Sequence, residues 1–181
     1  MAARTNRRRS KPTPAPPAFR LRPARPSDAE LLVRHRRRMW QDIRRFRREE
    51  LDAADLPYLR WMRREMRAHR LLGYIAVDAD GAALGSGLLW LQPSQPRPGR
   101  LNRPYTPYIL SMYTERRARR RGIATALVSR MVEWSRAHGY GRVLLHASDH
   151  GRPVYAALGF TPGREMRLDL RLRRAARARG R

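Results

Sequence analysis

The sequence predicts an α/β (α+β) domain, a mixed sheet of about six or seven strands flanked by helices, and three observations carry that reading. Residues 28–70 place apolar side chains at helical intervals. Two strand-like runs, LLGYIAVD at 71–78 and LGSGLLWL at 84–91, are joined by a short turn containing Asp80 and Gly81, the pattern of a hairpin. Residues 108–148 then read strand, loop, helix, strand, a crossover that makes its two strands parallel neighbours. With 181 residues the chain is long enough for one substantial core.

Residues 1–18, rich in Arg and Pro, read as a disordered arm, 19–170 as the folded domain and 171–181 as a basic tail. FRLRPA, from Phe19, is a short strand, and Ser27-Asp28 followed by Glu30 marks a helix start with acids in its first turn. Leu31, Leu32, Met39, Ile43, Phe46, Tyr58, Trp61, Met62 and Met66 then predict two helices with a break near Pro57. After the hairpin, Gln92 to Pro107 holds five prolines and reads as a stiff loop. YILSMYT at 108–114 is a strand, and Gly122 to His138 a helix ended by Gly139 at C′. Ile123, Ala124, Leu127, Val128, Met131 and Trp134 share one side of that helix, opposite Thr125, Ser129, Glu133 and Arg136. RVLLHAS at 142–148 is the parallel strand. A short helix from Gly151 to Leu158 tolerates Pro153 in its first turn, and 160–170 returns as a last strand or strand pair.

Composition narrows the function. The chain has no cysteine, which excludes disulfides, thiolate metal sites and a cysteine nucleophile, and its five histidines show no ligand spacing, so no metal is expected. The N-terminus lacks an apolar segment behind its charges, and the longest apolar run, IATALV at 123–128, is too short for a bilayer. The expectation is a cytoplasmic protein without membrane contact, as monomer or homodimer. A net charge of +26 would draw polyanions, and nucleic acid is a possible partner through the tails: residues 1–26 carry eight basic side chains and 171–181 six, without an acid. Because Lys11 is the only lysine, compositional arginine bias accounts for the bulk charge at least as well.

The stretch TERRARRRGIATALV, 114–128, sets five arginines in six positions ahead of a helix that opens Gly122, Ile123, Ala124. A helix N-terminus leaves amides unpaired and partly positive, glycine lets the backbone approach a ligand, and arginines add charge, a combination that suits a pyrophosphate. A duplex reader would instead start its recognition helix with long polar side chains. The residues alone leave a solvated basic turn equally open.

Arg119-Arg120-Arg121-Gly122-Ile123-Ala124 resembles the Q/RxxGxG/A acyl-CoA signature of the GNAT N-acetyltransferase superfamily, and SDHGRPVYAALGF resembles that family's second recurrent segment, a strand leading to a short helix with a tyrosine and a Leu-Gly-Phe end. The resemblance is clear over 108–160 and looser over 19–91. It implies a sheet splayed at its centre and acetyl transfer from the cosubstrate acetyl-CoA directly to an amine. It also implies that the backbone of Met112, Tyr113 and Thr114 holds the pantetheine, and that Arg119, Arg120, Arg121, Gly122, Ile123, Ala124 and Thr125 hold the pyrophosphate. Ser148 stands where many relatives carry a cofactor-binding asparagine. Tyr155 matches the tyrosine beside the thioester sulfur and is expected to act as general acid, although helical spacing alone reads it as a packing residue beside Val154 and Leu158. Some relatives place a base glutamate where this chain has Tyr108, others where it has Val143. Glu115 is therefore the candidate base, or else an ion-pair partner of Arg116 or Arg119; His146, Asp149 and water follow. The acceptor would be an unidentified amine, on a small molecule or a protein, including an RNA-linked or ribosomal one.

Overall fold

The computed structural model describes residues 19–44, 46–96, 98 and 104–168, and the expected arm and most of the C-terminal segment lie outside them. One five-stranded sheet carries the fold, in the order β1 (Arg20–Pro23), β2 (Leu71–Val77), β3 (Ala83–Pro93), β4 (Tyr105–Thr114), β5 (Leu144–Leu145). The first four strands pair antiparallel, and β4 pairs with β5 in parallel, as the crossover requires. The mixed α/β architecture agrees with the sequence, with five strands among the described residues in place of six or seven.

Alternation along β2 explains the layers. Leu71, Ile75 and Val77 face a cluster with Leu32 of α1 (Ala29–Ile43) and Tyr58 and Met62 of α2 (Arg48–Arg67). Tyr74 and Ala76 face the opposite cluster, with Ile123, Leu127, Val128 and Met131 of α3 (Ile123–Ala137). A strand buried on both faces reads as a continuous apolar run, which is how 71–77 reads. The hairpin turn closes through Asp78, whose carboxylate accepts the Ala82 N–H at 2.8 Å. The C-terminus of α3 is capped as expected: Tyr140 N–H bonds Ser135 O at 2.9 Å and Gly139 N–H bonds Arg136 O at 2.9 Å, with Gly139 at φ 72°.

Four expectations are corrected. The break between the first helices lies at 44–47, where Glu50 caps the Arg47 N–H at 2.8 Å, and Pro57 sits inside α2. An interior proline costs about 3 kcal/mol, here offset by the burial of Leu51, Tyr58 and Met62 along the same helix. The proline-rich stretch is not all loop, because Leu91, Gln92 and Pro93 pair with Pro107, Thr106 and Tyr105, so prolines are admitted at the strand ends. The strand expected over 142–148 pairs only at Leu144 and Leu145. Residues 160–168 form no strand, and 169 and 170 lie outside the described residues.

Glu65 ties α2 to the sheet. Its side chain is 5% exposed and accepts hydrogen bonds from Arg70 at 2.8 and 3.1 Å, Arg64 at 3.0 Å and Trp90 Nε1 at 3.3 Å. The Arg70 bond chiefly holds its pKa down at about 2, against the opposing effect of burial. Glu65→Gln should destabilise the fold by on the order of 1–3 kcal/mol near neutrality. The native pKa is depressed, so the carboxylate's contribution is full above its unfolded pKa of 4.5 and is lost as pH falls towards about 2. Denaturant titrations should therefore show the variant and the parent converging across that window.

Candidate active site

Pairing between β4 and β5 stops after Tyr108 with Leu144 and Ile109 with Leu145. Beyond that point β4 continues to Thr114 with no described parallel partner, so the main chain of Met112, Tyr113 and Thr114 borders a gap in the sheet. A bulge lies in the same place: Ser86 pairs with Tyr113 and Leu88 with Leu110, leaving Gly87 opposite both Ser111 and Met112. Ser111 takes a left-handed φ of 52°, and its hydroxyl is held by Tyr58 Oη at 3.1 Å. Such strain persists where the surroundings enforce it, commonly at functional sites.

The side chains of two of the three expected cofactor-binding strand residues are committed elsewhere. Met112 packs against the α3 cluster, and Tyr113 is 7% exposed beside the His35 ring. Their backbone is what faces the gap. The Thr114 carbonyl accepts Arg119 Nε at 3.2 Å.

The loop after β4 begins with a 3-10 turn at Arg116–Ala118, whose Ala118 is fully buried. Arg120 has φ 61° and Gly122, the residue before α3, φ 77°. Left-handed residues in such a turn tilt amides into a concave, anion-attracting surface at the positive end of the helix. A Cβ built on Gly122 meets nothing within 4 Å, so its approach is open. Arg120 and Arg121 are exposed and form no ion pair among the described residues, whereas Arg119 and Arg116 are engaged by Asp42 of α1. Ile123 is buried, Ala124 half-buried and Thr125 exposed on the first turn. These features fit the diphosphate of a CoA-type molecule: open amides, a missing side chain and two uncommitted guanidinium groups.

On the α3 side of the sheet, α4 (Arg152–Ala157) carries Tyr155. Its ring packs against the α3 cluster and edge-on to Phe160, so the packing role is real. A Cβ on Gly151 would stand 2.9 Å from that ring, which keeps position 151 free of any side chain. The Tyr155 hydroxyl makes no hydrogen bond among the described residues, and burial raises its pKa, keeping the phenol protonated. Ser148 caps the turn into α4, accepting the Gly151 N–H at 3.2 Å on Oγ.

Glu115 pairs with Arg38 of α1, a partner the sequence reading did not find; the pairs expected with Arg116 or Arg119 are absent among the described residues. Tyr113 Oη donates to its other oxygen at 3.4 Å, and His35 Nε2 lies 3.4 Å away without hydrogen-bond alignment. His35, 1% exposed, bonds Ser86 Oγ through Nδ1 at 2.8 Å. Its position three residues after Leu32 was the available signal, a polar residue on a buried stripe. A cleft of about 440 Å³ lined by Arg38, Gln41, Asp42, Tyr113, Glu115, Arg116 and Arg117 opens beside this cluster. Where that pairing ends, His146 follows Leu145, and Tyr108 Oη bonds His146 Nδ1 while His146 Nε2 lies 3.2 Å from Glu165. Asp149 forms no ion pair among the described residues.

The sequence model of the acetyltransferase (GNAT) family matches residues 36–160. A glucosamine 6-phosphate N-acetyltransferase from Trypanosoma brucei brucei is 32% identical over 121 residues, 66% of this chain and 78% of that protein. Among solved structures, a GCN5-related N-acetyltransferase from Ralstonia eutropha JMP134 superposes with a TM-score of 0.76 at 29% identity, covering 84% of this chain and 98% of its own. A protein from Clostridium acetobutylicum described as a predicted acetyltransferase, solved with acetyl-CoA, gives 0.74 at 27% identity over 84% and 96%.

Burial lowers the pKa of His35 below 6.5, against the attraction of Glu115 and with the help of Arg38 and Arg34. The unfolded chain therefore takes up this proton first, and stability falls as pH drops below 6.5. Thermal melts should show a lower Tm at pH 5.5 than at pH 7.5, and His35→Gln should flatten that dependence.

Proposed function

The chain belongs to the acetyltransferase (GNAT) family, and from that premise we propose that it moves the acetyl group of acetyl-CoA directly to a primary amine, with the cradle at 119–125 and Tyr155 as the two parts of the machinery. The observation that carries the reading is the coincidence of three features at one opening of the sheet. These are strand backbone without a parallel partner, a helix start at Gly122 open to an anion, and a protonated phenol on α4. Met112, Tyr113 and Thr114 hold the pantetheine through main-chain groups, the side chains of Met112 and Tyr113 being engaged in packing. Arg120 and Arg121 with the amides of Gly122, Ile123, Ala124 and Thr125 hold the diphosphate; Arg119 braces the loop through Thr114 and Asp42. Ser148 acts by shaping the turn into α4.

Bound acetyl-CoA supplies an activated acyl carbon and a thiolate leaving group. Tyr155 delivers a proton to the departing sulfur, a step favoured by a phenol that stays protonated at neutral pH. Glu115 remains a candidate for taking the amine proton, but its oxygens already serve Arg38 and Tyr113. The acceptor is an amine, and glucosamine 6-phosphate, the substrate in the relative's name, is the first to try.

Acetyl-CoA should raise the Tm of the full chain, and Gly122→Trp should abolish that rise by filling the anion's approach. Tyr155→Phe should keep the rise while lowering thiol release on the order of 100-fold. A Phe variant with parental turnover would remove Tyr155 from the mechanism.

A further inference from the structure

Tyr108 stands where some relatives carry the base glutamate, and no carboxylate replaces it in the strand. The structure supplies a connected set of three side chains at that place. Tyr108 is the first β4 residue paired with β5, and His146 follows the last residue of β5. Tyr108 Oη bonds His146 Nδ1, and His146 Nε2 meets Glu165 Oε1 at 3.2 Å. Among the described residues no other titratable side chain hydrogen-bonds or ion-pairs with these three.

The connectivity dictates the protons. Glu165 as a carboxylate can only accept, so Nε2 carries the hydrogen; Nδ1 then offers a lone pair and must accept from the Tyr108 hydroxyl. The oxygen of Tyr108 keeps free lone pairs for a proton arriving from elsewhere. Strand alternation gives the set its direction. Tyr108 pairs with Trp90, which packs on the α1 and α2 side, while Ile109 and Leu145 join the α3 cluster on which Tyr155 packs. The acid and the Tyr108 set thus belong to opposite faces of the sheet at the same opening.

We propose that Tyr108, His146 and Glu165 form a relay that takes the proton of the acceptor amine, an inference that rests on the acetyl transfer proposed above. As the amine nitrogen's lone pair forms the C–N bond, its proton passes to Tyr108 Oη while the hydrogen of Tyr108 passes to His146 Nδ1. The C–S electron pair leaves with sulfur, which takes the proton of Tyr155, and Tyr155 regains a proton from water once the thiol has left. The imidazolium so formed is paired with Glu165 and, with His146 72% exposed, returns its proton to water. Tyr108 is the group that touches the amine; His146 and Glu165 act through it. Burial, and then the charge of Glu165, raise the Tyr108 pKa, so a free phenolate is disfavoured and the two transfers are coupled.

The test uses the full chain saturated with acetyl-CoA. Nitrogen NMR of the histidine rings should show His146 with hydrogen on Nε2, and Tyr108→Phe should shift its Nδ1 resonance; a hydrogen on Nδ1 overturns the relay whatever the acceptor. With glucosamine 6-phosphate, or the amine that a thiol-release screen returns, His146→Gln keeps a hydrogen-bonding side chain that cannot take a proton. It should lower kcat about 100-fold, leave KM within about twofold, and displace the acid limb of the kcat/KM profile against pH. An unchanged rate and limb in His146→Gln, or loss of the limb in Glu115→Gln alone, overturns the relay and leaves acetyl transfer standing as long as acetyl-CoA still raises Tm. Absence of that rise in the parent chain refutes both.

Discussion

Among the described residues two parallel pairs, Tyr108 with Leu144 and Ile109 with Leu145, are the backbone pairing that joins β5 to the sheet, and the proposed chemistry depends on how soon that pairing ends. A strand that runs on without a neighbour exposes backbone donors and acceptors that must find partners. Here β4 runs five residues past its last pair, through a bulge whose Ser111 backbone is strained. The crossover helix α3 starts next to the same stretch, so unpaired strand groups and unpaired helix amides share one opening. An extended ligand with an anionic end satisfies both sets together, which neither a continuous sheet nor a helix start alone would do.

The arginine content acquires a division of labour from the fold. Acids of α1, α2 and the loop after β4 absorb many of the cations: Arg37 bridges Asp52 and Asp55 at 2.7 Å each, Asp42 engages Arg116 and Arg119, and Glu115 engages Arg38. Exposed pairs of this kind contribute little stability individually. Their effect is positional, pinning the front of the loop to α1 so that Arg120 and Arg121 remain beside Gly122.

Legibility followed the kind of force involved. The hairpin, the crossover and α3 with its Gly139 cap were readable because periodicity, turn chemistry and capping all act within a few residues. The helix break at 44–47 was hidden because Pro57 is the stronger local signal, and only the burial of Tyr58 and Met62 reveals that α2 tolerates it. The extension of β3 and β4 through Pro93 and Pro107 depends on pairing between distant segments, which no local pattern reports. In the candidate site, Gly122 and Tyr155 are singled out by motif residues, and the roles proposed for them rest on that match. The partnerships of His35 with Ser86, Arg38 with Glu115 and His146 with Glu165 join positions 51, 77 and 19 residues apart, and nothing in their spacing announces them.

The same short pairing would let one opening separate the two proton tasks proposed for Tyr155 and Tyr108. Consecutive residues of a strand point to opposite faces, so a single step from Tyr108 to Ile109 moves from the surface shared with Trp90 to the core shared with α3. On the α3 side the surroundings are apolar and burial keeps Tyr155 protonated. On the other side His146 is 72% exposed and can exchange with water. Were β4 and β5 paired along their whole lengths, the sheet would wall one face from the other and no reacting atom could lie between them. Early termination of β5 removes that wall while the two remaining pairs keep Tyr108 and His146 in register, so the weakness of the strand and the placement of the site have one cause.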